Sequence, residues 1–287
     1  MEIAVISGKG GTGKSSVTAA FTSLLKNVVL VDCDVDAANL YILFEPEIDE
    51  KTSFVGAQKA EIDYNNCTNC GICMDYCRFD AIKIENGKIA INEIFCDGCQ
   101  LCSRICPEKA ITMINNDESL LLSGNFRYGK MVYGRLAPGE ENSGKLVNIV
   151  REKARKIAEQ NNSKVILIDG PPGIGCPVIS TVTGVDHVVV VTEPSLSGMH
   201  DLIRTVEMTE NFNLKTWVII NKFDLNREMS EKIFEFCNLK SIQILAKLPY
   251  HEQVVEAMVN CKSISEWEPD SDFTKIFEDA IDKVINS

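Results

Sequence analysis

The sequence predicts an α/β protein: a mostly parallel sheet with helices on both faces, carrying a smaller inserted α+β unit. Three observations predict it. A glycine-rich loop stands between an apolar run and a helical stretch at residues 3–26. Short apolar runs ending in Asp, Thr or Asn recur at residues 28–32, 165–169, 188–192 and 217–221. Between them, residues 67–106 hold eight of the chain's twelve cysteines. Uninterrupted apolar runs of this length read as strands buried on both faces. Their alternation with helical segments calls for right-handed crossovers and hence a parallel sheet.

Bulk properties narrow the function. The chain has 287 residues and is 45% hydrophobic, enough for a sizeable core. No apolar run reaches the ~18 residues that suggest a membrane span. The start, Met1-Glu2-Ile3, enters a core strand without a charged leader, so no signal peptide and a cytoplasmic location are expected. A net charge of −12 argues against nucleic acid and acidic lipid as partners, since both select Lys and Arg. Cysteines in a leaderless chain point to metal ligation rather than disulfides.

The first element is a strand at residues 3–6, followed by G-x-x-x-x-G-K-[ST] at residues 8–15 and a helix over 16–26. Glycines let the backbone curl so that N–H groups converge on an anion, and the helix N-terminus adds its positive end. The candidate nucleotide-binding residues are Gly8, Gly10, Gly11, Thr12, Gly13, Lys14, Ser15 and Ser16. Lys14 is expected on the β- and γ-phosphates and Ser15 on magnesium. Lys9 adds positive potential toward phosphate. The second strand, residues 28–32, ends in Asp32, with Asp34 and Asp36 close behind. Carboxylates at the carboxyl end of a central strand lie where open α/β sheets bind ligands, although Asp34 and Asp36 also read as a solvated loop or helix cap.

Residues 57–116 form the expected insert, and residues 1–56 and 117–287 the sheet domain. Residues 62–77 and 91–106 are similar at a constant offset of 29, each carrying C-x2-C-x2-C-x3-C, and each continues to an Ala-Ile pair, Ala81-Ile82 and Ala110-Ile111. Zinc is the rival reading, but a continuous C-x2-C-x2-C is crowded for one tetrahedral ion.

After the insert, residues 120–122 and 130–136 read as strands around a turn at Asn125. The polar loop 137–146, including Gly139 and Glu141, enters a helix that Asn142 or Ser143 would cap, with Val147, Val150, Ala154, Ile157 and Ala158 on its core face. The strand at 165–168 ends in Asp169, followed by Gly170-Pro171-Pro172-Gly173 and then Cys176. A strand at 188–191 and a helix at 198–210 follow, then a strand ending in Asn221-Lys222, with Leu248-Pro249-Tyr250 beyond. His187, His200 and His251 form no ligand spacing and read as structural or surface residues. In the last helix, residues 271–286, two lysines face four acids. It is expected to pack on the sheet rather than on a membrane.

The run Lys9-Gly10-Gly11-Thr12-Gly13-Lys14-Ser15 resembles the deviant Walker A loop of the MinD/ParA/nitrogenase-iron-protein superfamily. That resemblance implies a P-loop NTPase sheet, a magnesium-dependent ATPase using ATP and Mg2+, and an ATP-dependent homodimer in which Lys9 reaches the partner's phosphates. It puts Lys9, Lys14 and Asp34 in catalysis, Asp34 on the attacking water. It puts Asp32 and Asp169 beside Ser15 in the magnesium shell, Asn39 near the dimer interface, Asn221 on adenine and Pro249 in the opposite apolar wall. Asp169-x-Pro-Pro-Gly resembles the γ-phosphate-sensing switch of MinD and Mrp relatives. Cys176 matches a cluster cysteine of the nitrogenase iron protein, but Ser143 stands where its second ligand would be. A buried small residue or a redox partner is therefore the favoured reading.

The cysteine runs resemble the bacterial two-cluster ferredoxin. That resemblance implies a ferredoxin-like insert after the second strand and two 4Fe-4S clusters. The fourth cysteine of each run serves the other cluster. Cluster one takes Cys67, Cys70, Cys73 and Cys106; cluster two takes Cys96, Cys99, Cys102 and Cys77. Pro107 follows Cys106, whereas Arg78 follows Cys77. Together the resemblances imply ATP-dependent electron transfer to a redox or iron–sulfur acceptor protein. The alternatives are an Mrp-type iron–sulfur carrier, which the spacing of Cys237 and Cys261 disfavours, and a redox-sensing positioning or regulatory switch.

Overall fold

The computed structural model describes residues 1–56, 58–115, 118–138, 140 and 142–287. The expected boundaries at Ala57, Asn116 and Asp117, and Gly139 and Glu141 of the polar loop, lie outside the described residues. The chain opens with β1 (Glu2–Ser7), α1 (Lys14–Leu24), β2 (Val28–Asp32), α2 (Leu40–Phe44) and β3 (Glu47–Phe54). The cysteine-rich stretch follows as β4 (Gln58–Ile62), α3 (Ile72–Asp75), β5 (Ile82–Glu85), β6 (Lys88–Ile91), α4 (Leu101–Ile105) and β7 (Ile111–Asn115). The chain then returns through β8 (Ser119–Phe126), β9 (Gly129–Arg135), α5 (Ser143–Asn161), β10 (Ile166–Pro172) and α6 (Cys176–Val182). It continues with β11 (His187–Thr192), α7 (Leu196–Asn211), β12 (Lys215–Asn221), α8 (Arg227–Leu239) and β13 (Gln243–Leu248). Helices α9 (Gln253–Val259), α10 (Ile264–Trp267) and α11 (Asp272–Ile285) close it.

The large sheet has nine strands in the order β13-β12-β11-β1-β10-β2-β9-β8-β3. Its pairings from β13 to β9 are parallel, and β8 and β3 add an antiparallel edge. Strand side chains alternate between faces, so Ala4 and Ile6 join one core while Ile3 and Val5 join the other. Helix α5 packs on the first face through Val147, Val150, Ala154, Ile157 and Ala158, as its apolar stripe predicts. Helices α1 and α11 cover the second, where Phe21 meets Phe277 edge-to-face at 6.0 Å. The apolar face of α11 is thus spent on the sheet. Among the described residues no helix is long and apolar enough to cross a membrane.

The insert has its own small core of Ala60, Ile62, Cys73, Ile82, Ile89 and Ile111. Its pairings exchange the two repeats: β4 pairs with β7, and β5 with β6, both antiparallel. Each repeat therefore completes the sheet of the other.

Two expectations need correction, and one element is new. The insert follows an added strand, β3, which the sequence reading did not single out. It interrupts a β-hairpin, because β3 pairs with β8 from Glu47 opposite Asn125 to Phe54 opposite Ser119. The turn before β9 lies at Arg127 and Tyr128, not Asn125; Asn125 stays in β8 and its amide holds Asp49 at 2.9 and 3.0 Å. Neither Asn142 nor Ser143 caps α5 by side chain. Asn142 has φ 75, and its amide instead donates to the Gly56 carbonyl at 3.0 Å.

Candidate functional site

The glycine loop lies at the carboxyl end of β1, between β10 and β11, the position where open α/β sheets bind ligands. Gly13 has φ 92, and a Cβ there would stand 2.2 Å from the Asn221 amide nitrogen, so only glycine fits. The loop and Asp34, Asn39 and Pro172 line a solvent-open cavity of about 700 Å³. Among the described residues the buried Thr12 hydroxyl has no hydrogen-bond partner.

Asp169, fully buried at the middle of β10, gathers the loop. It accepts from Ser15 Oγ at 2.7 Å and Thr18 Oγ1 at 2.8 Å, and pairs with Lys14 Nζ at 3.0 Å. Burial opposes the charge on Lys14, but the Asp169 carboxylate outweighs it and raises the lysine's pKa. Asp32 accepts from the backbone N–H groups of Asn39, Leu40 and Asp34 at 3.0–3.1 Å. Burial and the neighbouring Asp169 raise its pKa. Burial also raises Asp34, with Lys14 pulling the other way. Asp36 is exposed, though burial of its carboxyl group raises its pKa.

Lys9 points away from this cavity. Its Nζ lies 2.7 Å from Glu193, 2.8 Å from Ser197 and 3.1 Å from Ser195. Glu193 also pairs with Lys222 at 3.3 Å, and Lys222 donates to the Gly11 carbonyl at 3.2 Å. Burial would raise the Glu193 pKa, but hydrogen bonds from both lysines hold it below the usual carboxylate value. The sequence singled out neither Glu193 nor the two serines.

Asn221 donates to the Thr12 carbonyl at 2.8 Å, which fixes the strand end to the loop. A second cavity of about 690 Å³ adjoins here, lined by Asn221, Leu248, Pro249 and Tyr250 together with Gly13 and Ser16. Asp34 thus lines the first cavity and Asn221 and Pro249 the second, with Gly11, Gly13 and Ser16 of the loop shared between them.

The cysteines fall into two groups of four. Cys67, Cys70, Cys73 and Cys106 line one cavity of about 360 Å³. Cys77, Cys96, Cys99 and Cys102 line another of about 380 Å³. Each quartet draws its fourth member from the other repeat, in keeping with the exchanged strands. Burial raises the thiols of Cys73 and Cys102, the latter to about 11. Among the described residues, no three His, Cys, Asp or Glu side chains converge as for a single metal ion.

The remaining candidates stand apart. Cys176 is exposed at the start of α6, whereas Cys33 and Cys237 are buried and Cys261 is half-buried. The exposure of Cys176 corrects the buried-residue expectation: β10 ends at Pro172, and the thiol opens a new helix at the sheet's rim. His187 is buried and accepts from the Trp217 indole at 3.4 Å, His200 is exposed, and His251 lies 4.6 Å from the Phe273 ring.

Comparison with known proteins supplies the relatives. An uncharacterized protein of Methanocaldococcus jannaschii, MJ0578, is 37% identical over 229 residues, 79% of each chain. Pyruvate synthase subunit PorD of the same organism is 32% identical over 80 residues, 27% of this chain and 93% of that one. The fold is that of the septum site-determining protein MinD from Pyrococcus horikoshii, solved with Mg-ADP, at TM-score 0.57 and 18% identity, covering 99% and 95% of the two chains. Residues 3–264 match the model of the CobQ/CobB/MinD/ParA nucleotide binding domain, and the chain belongs to that family of P-loop ATPases.

Proposed function

We propose that this ATPase is a nucleotide-driven dimer coupled to two 4Fe-4S clusters, and that it transfers electrons to a protein partner. The observation that carries the reading is the sorting of eight cysteines into two crossed quartets, each around its own cavity, in a chain that also holds a phosphate loop. Eight soft sulfur donors in two apolar-walled cavities suit iron–sulfur clusters. Cys67, Cys70, Cys73 and Cys106 would ligate one cluster and Cys96, Cys99, Cys102 and Cys77 the other, a pairing that the two cavity linings support. Residues 57–116 act as the redox domain, and residues 1–56 and 117–287 as the ATPase. When bound, the clusters supply one-electron redox chemistry.

On the nucleotide side, ATP lies along the cleft, with phosphates on residues 8–16 and the base between Asn221 and Pro249. Ser15, Asp32 and Asp169 would hold magnesium, which offsets phosphate charge. Lys14 leaves Asp169 for the phosphates, and Asp34, at the cavity wall, positions water. Lys9 leaves Glu193 to reach across a dimer. MinD from Pyrococcus horikoshii was solved with Mg-ADP, which supports this placement.

The test uses anaerobically purified protein with iron and sulfide quantified. ATP turnover is measured with the clusters oxidised and reduced, and cluster potentials with and without nucleotide. A nucleotide-dependent potential or redox-dependent turnover is expected. Independence in both directions would sink electron transfer and favour cluster carriage or a partner-driven switch.

A further inference from the structure

The two halves of the insert correspond at an offset of 29 residues, so that β6 and β5 are the repeat mates of β4 and β7. The β5–β6 ribbon is closed. Glu85 pairs with Lys88 across Asn86 and Gly87, whose φ values of 51 and 76 make the tight turn. Among the described residues, a Cβ on Gly87 would meet nothing within 4 Å. The β4–β7 ribbon is open. It ends where Gln58 pairs with Asn115, and from there the chain runs to β3 and β8 of the large sheet. The loop entering α5 holds this end, since the Asn142 amide donates to the Gly56 carbonyl at 3.0 Å. The two quartets sit differently along the open ribbon. The cavity of Cys77, Cys96, Cys99 and Cys102 is lined by the pair Ala60 and Met113, two residues in from Gln58 and Asn115. The other cavity is lined by Ile62 and Ile111, the pair farthest from them. The Cys96–Cys99 loop is also pressed on the open end. Gly98 has φ 68, and a Cβ there would stand 2.1 Å from the Gln58 carbonyl oxygen. The Gln100 amide donates to the Gln58 side-chain oxygen at 3.4 Å. Gly98 and Gln58 correspond to Asn69 and Gly87 in the other half. There Asn69 accepts from the Ile89 N–H at 3.0 Å, so the Cys67–Cys70 loop rests on the closed ribbon.

We propose that the contact of Gln58 with Gly98 and Gln100 carries the nucleotide state into the insert, so that the quartet of Cys77, Cys96, Cys99 and Cys102 answers nucleotide and that of Cys67, Cys70, Cys73 and Cys106 does not. The redox form of this assignment rests on the iron–sulfur reading above; the contact itself does not. A cluster's potential depends on hydrogen bonds to its sulfurs and on its exposure to solvent. Both are set by the backbone between its closely spaced cysteines. Gly98 lies between Cys96 and Cys99, so a shift of Gln58 against the insert displaces that backbone directly. The Cys67–Cys70 loop has its support on the closed ribbon and moves with the insert as a body, its surroundings unchanged. Gln58 and Gln100 are positioning residues: they act through the loop that carries the cysteines.

The experiment uses the anaerobically reconstituted full chain with Mg-ADP and with the magnesium complex of a non-hydrolysable ATP analogue. Titanium(III) citrate adds one electron to each cluster, itself becoming titanium(IV), and electron paramagnetic resonance follows the two steps. Cys70→Ser and Cys99→Ser variants assign each signal to its cluster. Exchanging ADP for the analogue should change the Cys99-side reduction about tenfold, about 59 mV for a one-electron couple, and leave the Cys70-side step in place. Amide hydrogen exchange on the same samples should change at residues 96–100 and not at 67–71. Gln100→Gly supplies the residue of the equivalent position, Gly71, suits the φ of 66 and removes the bond to Gln58. It should at least halve the Cys99-side shift, and an undiminished shift would overturn the contact as the route. Should Gln100→Gly fail to load, the wild-type comparison alone decides. Shifts that are equal, or larger on the Cys70 side, overturn this assignment and leave the coupled ATPase standing. Two loaded clusters that both ignore bound nucleotide refute the coupling and this assignment together. Protein without iron and sulfide refutes the iron–sulfur reading, and exchange at residues 96–100 against 67–71 then decides the contact by itself.

Discussion

At the scale of single residues, the charged groups of the cleft are held away from their expected roles. Lys14 is tied to Asp169 and Lys9 to Glu193. In the proposed cycle nucleotide replaces the first contact and a partner subunit the second. Lys14→Ala should weaken nucleotide binding by at least about tenfold, the scale of one hydrogen bond to a charged group. Cluster absorbance should be unchanged; loss of both would break the modular picture. The Lys9–Glu193 pair is about one-quarter exposed on each side, so it contributes no more than about 1 kcal/mol. Glu193→Gln should therefore strengthen ATP-dependent dimerisation by up to about fivefold in sedimentation experiments, and a weaker dimer would count against the latch. The loop residues were legible because they are contiguous and their chemistry is local. Glu193 was not, because 184 residues separate it from Lys9.

Elements divide the same way. The central strands were legible, since each carries an uninterrupted apolar run that leads to a polar group, although β10 continues past Asp169 to Pro172. Strand β3 was not, because seven of its eight residues are exposed and its partner β8 lies beyond the insert. Only Phe54, buried in the core under α5, betrays its role. Helix α11 was legible from its stripe, and its packing sets a measurable cost. Phe277 touches Phe21 and Phe273, so Phe277→Ala should destabilise the fold by about 3–5 kcal/mol in urea unfolding. A value near zero would mean that α11 is not part of the core. The start of β1 is tied to α5 by Glu2, which pairs with Arg151 at 2.6 Å and with Arg155. Burial would raise the Glu2 pKa, but hydrogen bonds from Arg155 and Arg151 hold it below its ordinary 4.5. A carboxylate lowered in the folded state stabilises the protein fully above its unfolded value and loses that contribution as pH falls through the folded one. Glu2→Gln should cost about 2 kcal/mol at pH 7, and its gap from wild type should narrow progressively below pH 4.5. A gap constant down to acid unfolding would exclude the pair as its source.

At the scale of the whole molecule, the question is how the ATPase and the insert communicate. Two physical links are visible. The insert hangs from the β3–β8 hairpin, whose root places Phe54 beneath the Lys145 ammonium, 5.6 Å from the ring centre. The loop entering α5 grips that root, since the Asn142 amide donates to the Gly56 carbonyl. Two residues on, Gly144 lies against α6: a Cβ there would stand 3.2 Å from Ser180 Oγ and 3.6 Å from the Cys176 backbone. Helix α6 begins four residues after Pro172, which lines the phosphate cavity. Movement of the Pro-Pro-Gly segment on nucleotide exchange would therefore reach the insert through α6, the N-terminus of α5 and Asn142. Asn142→Ala removes the final bond without touching the phosphate loop or any cysteine. Nucleotide affinity and iron content should match wild type, while the nucleotide-dependent difference in cluster potential should fall by more than half. An undiminished difference would shift the coupling to the hairpin strands, where Phe54→Ala becomes the discriminating variant. Loss of nucleotide binding in Asn142→Ala would instead show that the loop serves the ATP site itself.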